Sequence, residues 1–342
     1  MSQMNRRDFL AASVAVVGAG ALASRAGAQE ANTARTVLGT GSDRYECIHD
    51  WLVPPAGMAF GDTHGLAQDR GGRIYLAHTV GAGSTSANGV VVYGADGKIL
   101  SSWGPQFAGG AHGLDLRDEG GTEVLYHCDT RRRCVEKTAL DGTVMWSRAC
   151  PMESGVYDSP EAWCPTNVAF LPDGDLLVGD GYGKSFIHRY GADGSWKSIF
   201  ARPGSAKGEV SCPHGLWVDP RGTTPQLVVA DRGNRRIQVF DLDGKHVSFQ
   251  NDGVRLPCDM KFREGQMLVP DLESVVSIYD EEGKPVVHLG DGHPSALRGA
   301  TRDKFVPGKF VHPHDAIWLA SGDILVAEWV PIGRVTLLRK LA

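Results

Sequence analysis

Cys212–Phe240, CPHGLWVDPRGTTPQLVVADRGNRRIQVF, is the stretch whose reading decides the fold. A histidine behind a proline leads into an alternating apolar run, a Gly-containing turn and a second apolar run. The polar step Asp231-Arg232-Gly233-Asn234 then leads into a third strand, Arg236–Asp241. Period-2 alternation bounded by Gly, Asp and Asn marks short antiparallel strands. Working outward, six such units overlay, opening at His64-Gly65-Leu66, His112-Gly113-Leu114, Thr166-Asn167-Val168, His214-Gly215-Leu216, Cys258-Asp259-Met260 and His314-Asp315-Ala316, at steps of 48, 54, 48, 44 and 56 residues. Most pass through a Gly turn into a second strand, as at Arg73–Ala77 and Gln226–Ala230. A third strand generally ends in an acidic-Gly hairpin, as at Asp96-Gly97 and Asp243-Gly244, where Gly supplies the positive φ.

Repeats of about 40–50 residues, each a four-stranded meander, are the mark of a β-propeller. The expected fold is therefore all-β: a six-bladed propeller filling residues 29–342. The last unit runs out at Leu341-Ala342 after three strands, and Tyr45–Trp51 (YECIHDW) is expected to supply its missing outer strand. Such closure ties the two ends together and removes an exposed edge.

Composition agrees: 42% of the 342 residues are hydrophobic and 44 are glycine, with little helical periodicity. A net charge of −5 without a basic stripe argues against nucleic acid or an anionic membrane as partner. Arg131-Arg132-Arg133, the one basic run, reads as a solvated hairpin tip. Asn5-Arg6-Arg7-Asp8-Phe9-Leu10, the small apolar run Ala11–Ala23 and Ala26-Gly27-Ala28 together read as a twin-arginine signal peptide over residues 1–28. The mature protein is expected to be periplasmic or secreted and free of the membrane, a monomer as a closed ring would be. Seven cysteines in such a compartment permit disulfides, with Cys128–Cys134 and Cys150–Cys164 as the pairs suggested by position.

The inner strand of each propeller blade lines the central channel, so opening residues converge near the axis. Blades two, four and six stand about 120° apart in an idealised ring, and they open with His112, His214 and His314. Three imidazoles at that spacing form a tripod for a divalent metal with an open position.

With the blades laid out, the chain resembles the peptidyl-α-hydroxyglycine α-amidating lyases, six-bladed propellers of the NHL-repeat class. The likeness lies in Cys164-Pro165-Thr166-Asn167-Val168-Ala169, Asp180-Gly181-Tyr182, Ala230-Asp231-Arg232, His112-Gly113-Leu114, Pro213-His214 and Pro313-His314-Asp315. It implies zinc on His112, His214 and His314, a catalytic Tyr182 and an assisting Arg232. It also implies a structural calcium held by Asp315 and the carbonyls of Leu66 and Leu114. Two departures stand out. His78-Thr79 occupies the place where the family carries a substrate-gripping arginine, and His64 and His312 add metal-capable side chains near the tripod. The larger histidine set could hold iron or copper instead of zinc. The expected activity is cleavage of a carbinolamide-type C–N bond in a small or peptide-derived substrate. An oxidase, dioxygenase or hydrolase using the same histidines, or a propeller that only binds a ligand, are the alternatives. A lactonase-like reading is weaker, because that group uses an acidic metal set.

Overall fold

The structure, a computed structural model, describes residues 35–292 and 295–342; the twin-arginine segment lies outside the described residues. Six sheets follow one another along the chain, antiparallel except for the short parallel strand Glu209–Val210, and each inner strand begins within three residues of one of the openers. Blade one comprises Thr63–Gln68, Ile74–His78, Val90–Tyr93 and Ile99–Trp103. The inner strands of blades two to six are Ala111–Glu119, Asn167–Phe170, Pro213–Asp219, Lys261–Arg263 and Pro313–Trp318.

The second strand of every blade shows why the sequence closes a ring. A strand buried on both faces reads as a continuous apolar run, and successive side chains point to opposite faces. Each second strand accordingly sends one residue to each neighbouring blade. Leu76 packs towards blade six and Tyr75 towards blade two. Leu125 and Tyr126, Val178 and Leu177, and Val229 and Val228 divide in the same way between their neighbours. Val269 with Leu268 and Val326 with Ala327 complete the circuit. Six hydrophobic cores result, one per blade interface.

Asp43–Ile48 supplies the outer strand of blade six by pairing with Arg334–Lys340, Tyr45 opposite Lys340 and Ile48 opposite Leu337. It starts two residues before Tyr45 and ends short of Trp51, where Asp50 takes a left-handed φ of 54° that does not continue a strand. A further strand not anticipated from sequence, Val37–Thr40, folds back on it as a hairpin.

One expectation is corrected. All seven cysteines are free. Cys128 stands opposite Val135 and Cys134 opposite Asp129, so the two thiols point to opposite faces of their sheet. Cys150 Sγ contacts Met152, whereas Cys164 Sγ faces the Thr130 carbonyl. The arginine run does form an exposed hairpin turn, in which Arg132 bridges Asp129 and Glu136 and Arg133 donates to the Trp163 carbonyl.

Candidate metal centre

The imidazoles reach the axis through a shared distortion. In the four blades that open with histidine, the ladder between first and second strands slips, between Thr63 and Leu66, Ala111 and Leu114, Pro213 and Leu216, and Pro313 and Asp315. A β-bulge re-aims the residue that it carries, and here each bulge carries the histidine. The rings of His112, His214 and His314 form a nearly equilateral triangle, with centroids 4.9, 4.7 and 4.8 Å apart. His64 joins them, 4.5 Å from His314 and 4.8 Å from His112.

A backbone hydrogen bond fixes the tautomer of each even-blade histidine. His112 Nδ1 meets the Thr166 carbonyl at 2.8 Å, His214 Nδ1 the Cys258 carbonyl at 2.8 Å, and His314 Nδ1 the His64 carbonyl at 3.4 Å. A carbonyl only accepts, so Nδ1 carries the hydrogen and Nε2 is left as a lone pair. The glycine after the histidine makes this possible in two blades. A Cβ on Gly113 would collide with the Thr166 carbonyl and one on Gly215 with the Cys258 carbonyl, the same oxygens that receive the Nδ1–H groups.

Tyr182 is placed by Asp180, a fully buried carboxylate that accepts from the amides of Cys164 and Lys184 and from the Tyr157 hydroxyl. The Tyr182 hydroxyl sits 3.2 Å from His112 Nε2 and 3.0 Å from His214 Nε2. The residue as a whole is 43% exposed, while its hydroxyl meets the two imidazoles. Arg232 lies over that ring at 5.1 Å and points its guanidinium at the thiols of Cys212 and Cys258. A cleft of about 370 Å³ opens above, lined by Asp62, Thr79, Thr130, Tyr182, Arg232 and Trp329 among others.

The surroundings keep these imidazoles neutral. Burial drives His112 down to about 3, and holds His64, His214 and His314 well below the ordinary imidazole range, with neighbouring rings and Arg232 adding to the effect. Burial lifts the Tyr182 hydroxyl to about 12 against the pull of Arg232. The donor set suits a cation. Tyr182 has a single proton to donate, so it can satisfy only one of the His112 and His214 lone pairs. Ligand atoms of His64, His112 and His314 lie within 4.8 Å of one another, as do those of His214, Cys258 and His314.

A second polar layer lies beneath. Lys261 Nζ stands 2.8 Å from Asp115 and 2.7 Å from Asp259, and Asp315 accepts the Leu66 amide at 2.7 Å. Burial works against the lysine's charge, but Asp115 and Asp259 outweigh it and raise its affinity for the proton. Burial pushes the Asp115 and Asp315 carboxyls up, with Lys261 pulling them back. Asp259 Oδ1 and Asp315 Oδ1 are buried without a hydrogen-bond partner, beside a cavity of about 10 Å³ bordered by Gly113 and Leu114. Three carboxylates against one ammonium, together with those orphaned oxygens, fit a second cation.

The structure thus brings His64, His112, His214, His314, Tyr182 and Arg232 to one spot, with Asp315, Leu66 and Leu114 in or beside the layer below. His312 is not brought in: its Nδ1 is spent on the Leu272 carbonyl and its ring packs against Trp329. His78 is buried against Phe60, away from the cleft lining. Sequence reading missed Lys261, Asp115 and Asp259. It also missed Asp62, which lines the cleft and pairs at 2.7 Å with Arg298, itself stacked over Trp329 at 3.7 Å. The one available signal was Cys258-Asp259, a polar pair at a position that is otherwise mostly His-Gly.

No family model matches the chain. It is 27% identical over 247 residues to the mouse (Mus musculus) peptidyl-glycine α-amidating monooxygenase, a match covering 68% of this chain and 24% of that protein. It is 28% identical over 263 residues to peptidyl-α-hydroxyglycine α-amidating lyase 1 of Drosophila melanogaster, covering 70% of this chain and 46% of that protein. The matches thus span less than half the length of these curated relatives. Among solved structures, the virginiamycin B lyase of Staphylococcus aureus superposes with a TM-score of 0.57 at 13% identity, over 87% of this chain and 100% of that one. That likeness concerns the fold alone. The chain is a six-bladed β-propeller similar in sequence to the peptidyl-α-hydroxyglycine α-amidating lyases.

Proposed function

We propose that this chain is an exported metal-dependent lyase that splits a carbinolamide-type C–N bond in a small or peptide-derived substrate. The observation that carries the reading is the set of three Nδ1–H bonds to backbone carbonyls, which leaves the Nε2 lone pairs of His112, His214 and His314 free on rings whose centroids stand 4.9, 4.7 and 4.8 Å apart. Those nitrogens would hold the metal; zinc, iron or copper when bound acidifies a coordinated hydroxyl. Asp315, with the Leu66 and Leu114 carbonyls, would hold a structural calcium. In the reaction the carbinol O–H loses its proton, the C–N bond breaks to leave a carbonyl, and the departing amide nitrogen gains a proton. Tyr182 is the one phenol at the centre, and it can donate to the nitrogen and recover a proton from the oxygen, so no net proton is consumed. Arg232, held over the Tyr182 ring, favours an anionic group on the substrate or on the developing oxyanion.

The test uses the full chain, exported and purified without chelator, with metal content measured and an N-acyl α-hydroxyglycine offered as substrate. Bound metal together with glyoxylate release is expected. Metal-free protein overturns the metal reading, and metal-loaded protein that releases no glyoxylate overturns this substrate class.

A further inference from the structure

We infer that His64 is a fourth nitrogen ligand, so that the centre takes a divalent transition metal with five or six ligands rather than a three-histidine zinc. This deepens the metal reading above and rests on it. The openers of blades one, three and five are His64, Thr166 and Cys258, and their carbonyls do one job, each receiving the Nδ1–H of an even-blade histidine. Their side chains diverge. The Thr166 hydroxyl turns to the Pro213 carbonyl at 3.0 Å, and Cys258 Sγ, though within 4.8 Å of ligand atoms of His214 and His314, receives the Arg232 guanidinium at 3.7 Å. His64 instead sets its Nδ1 3.3 Å from His314 Nε2.

That distance is informative. Two nitrogens bound at about 2.0–2.1 Å to one ion sit about 2.9 Å apart at right angles and about 3.3 Å apart at the tetrahedral angle. His314 Nδ1 is already committed to the His64 carbonyl, so its Nε2 offers a bare lone pair to whatever lies between the two rings. A ligand nitrogen of His112 lies within 4.8 Å of both. The competing use of this contact is an N–H···N bond from His64 to His314, which would block the very lone pair that the threefold set needs. His64 therefore either completes the centre or disables it.

Four protein ligands close a tetrahedral zinc site. This centre also faces a cleft that His64, His112, Tyr182 and Arg232 all line, so a position must stay open for substrate or water. Four neutral imidazoles plus an open position require a coordination number of five or more, which iron(II), nickel(II) and copper(II) accept readily with nitrogen donors.

The deciding measurement uses the full chain stripped with chelator and reloaded with cobalt(II), read by visible absorption and by titration. Wild type should give the weak bands of five- or six-coordinate cobalt. His64→Ala should gain the intense bands of four-coordinate cobalt and bind it at least about tenfold more weakly. His64→Gln, which keeps more of the packing, should show the same change, with thermal melting reporting that both variants fold. Unchanged spectra and affinity in both variants overturn the assignment, and tighter cobalt binding by His64→Ala marks His64 as the hydrogen-bonding block. Wild type that takes up no cobalt sinks the metal reading itself, a failure distinct from either.

Discussion

Tyr182 gathers the local chemistry onto one oxygen, which touches two imidazoles while Arg232 covers the ring. Removing only that oxygen separates proton transfer from metal holding, since the lone pairs of His112 and His214 are oriented by backbone carbonyls and not by the phenol. Tyr182→Phe should therefore lower turnover by about 10²–10⁴-fold while metal content per chain stays at the wild-type value. Parallel assays of kcat and bound metal check this; loss of metal in the variant would mean that the hydroxyl is a ligand or a structural prop. At this scale the phase of the histidines was legible, because a repeat places equivalent residues at equivalent heights on the axis. Lys261, Asp115 and Asp259 were not. Their pairing joins blades two and five across the channel, 146 residues apart in the case of Lys261 and Asp115, and no local pattern encodes such a meeting. Asp62 and Arg298 stayed hidden for the same reason, because a loop after blade five brings the arginine to the first blade's doorstep.

Blade six joins the chain's two ends, and its hold depends on more than strand pairing. Arg334, 2% exposed on the strand next to Asp43–Ile48, pairs with the fully buried Glu328. Glu328 also receives the Val311 amide at 2.7 Å, and Arg334 reaches the Lys309 carbonyl at 2.9 Å. A buried pair adds little over apolar packing, but stripping one partner strands the other's charge. Arg334→Met should thus cost about 3–5 kcal/mol, and adding Glu328→Gln should restore part of the loss; urea unfolding of the single and double variants measures both. Equal stability of Arg334→Met and wild type would show the pair to be dispensable for closure. The strands themselves were legible from alternation and turn chemistry, and the missing fourth strand of the last unit announced the closure. The bulges were not. A slip between Pro213 and Leu216 leaves the spacing of His214 from its neighbours unchanged in sequence, and yet it decides where the ring points.

Across the whole molecule, the number of neutral imidazoles shielded from water sets the response to acid. Desolvation holds nine histidines (His49, His64, His78, His112, His127, His188, His214, His246 and His314) below their ordinary range, His49, His78 and His188 to about 4 and His112 and His127 to about 3. The unfolded chain takes up these protons near the ordinary value of 6.5 and the native chain does not. Folding stability is therefore complete above about pH 6.5 and drains as pH falls towards 3–4, by about 1.4 kcal/mol per pH unit for each such proton. Six buried carboxyls work in the opposite direction. Desolvation raises Asp62, Asp115, Asp180, Asp231, Asp271 and Asp315, Asp180 to about 6, so the native chain binds protons there that the unfolded chain lacks. Nine outnumber six, and neighbouring cations oppose the rise at several of those carboxyls, as Lys261 does at Asp115 and Arg236 at Asp231. The net slope thus follows the histidines. Urea midpoints of chelator-treated protein should fall steadily from pH 7 through 6 to 5, and those of metal-loaded protein should lie higher with a similar slope, because the native imidazoles are already neutral over that interval and lose no proton to the ion. A midpoint that held level or rose over that interval would mean that the carboxyls, not the imidazoles, govern the acid limb.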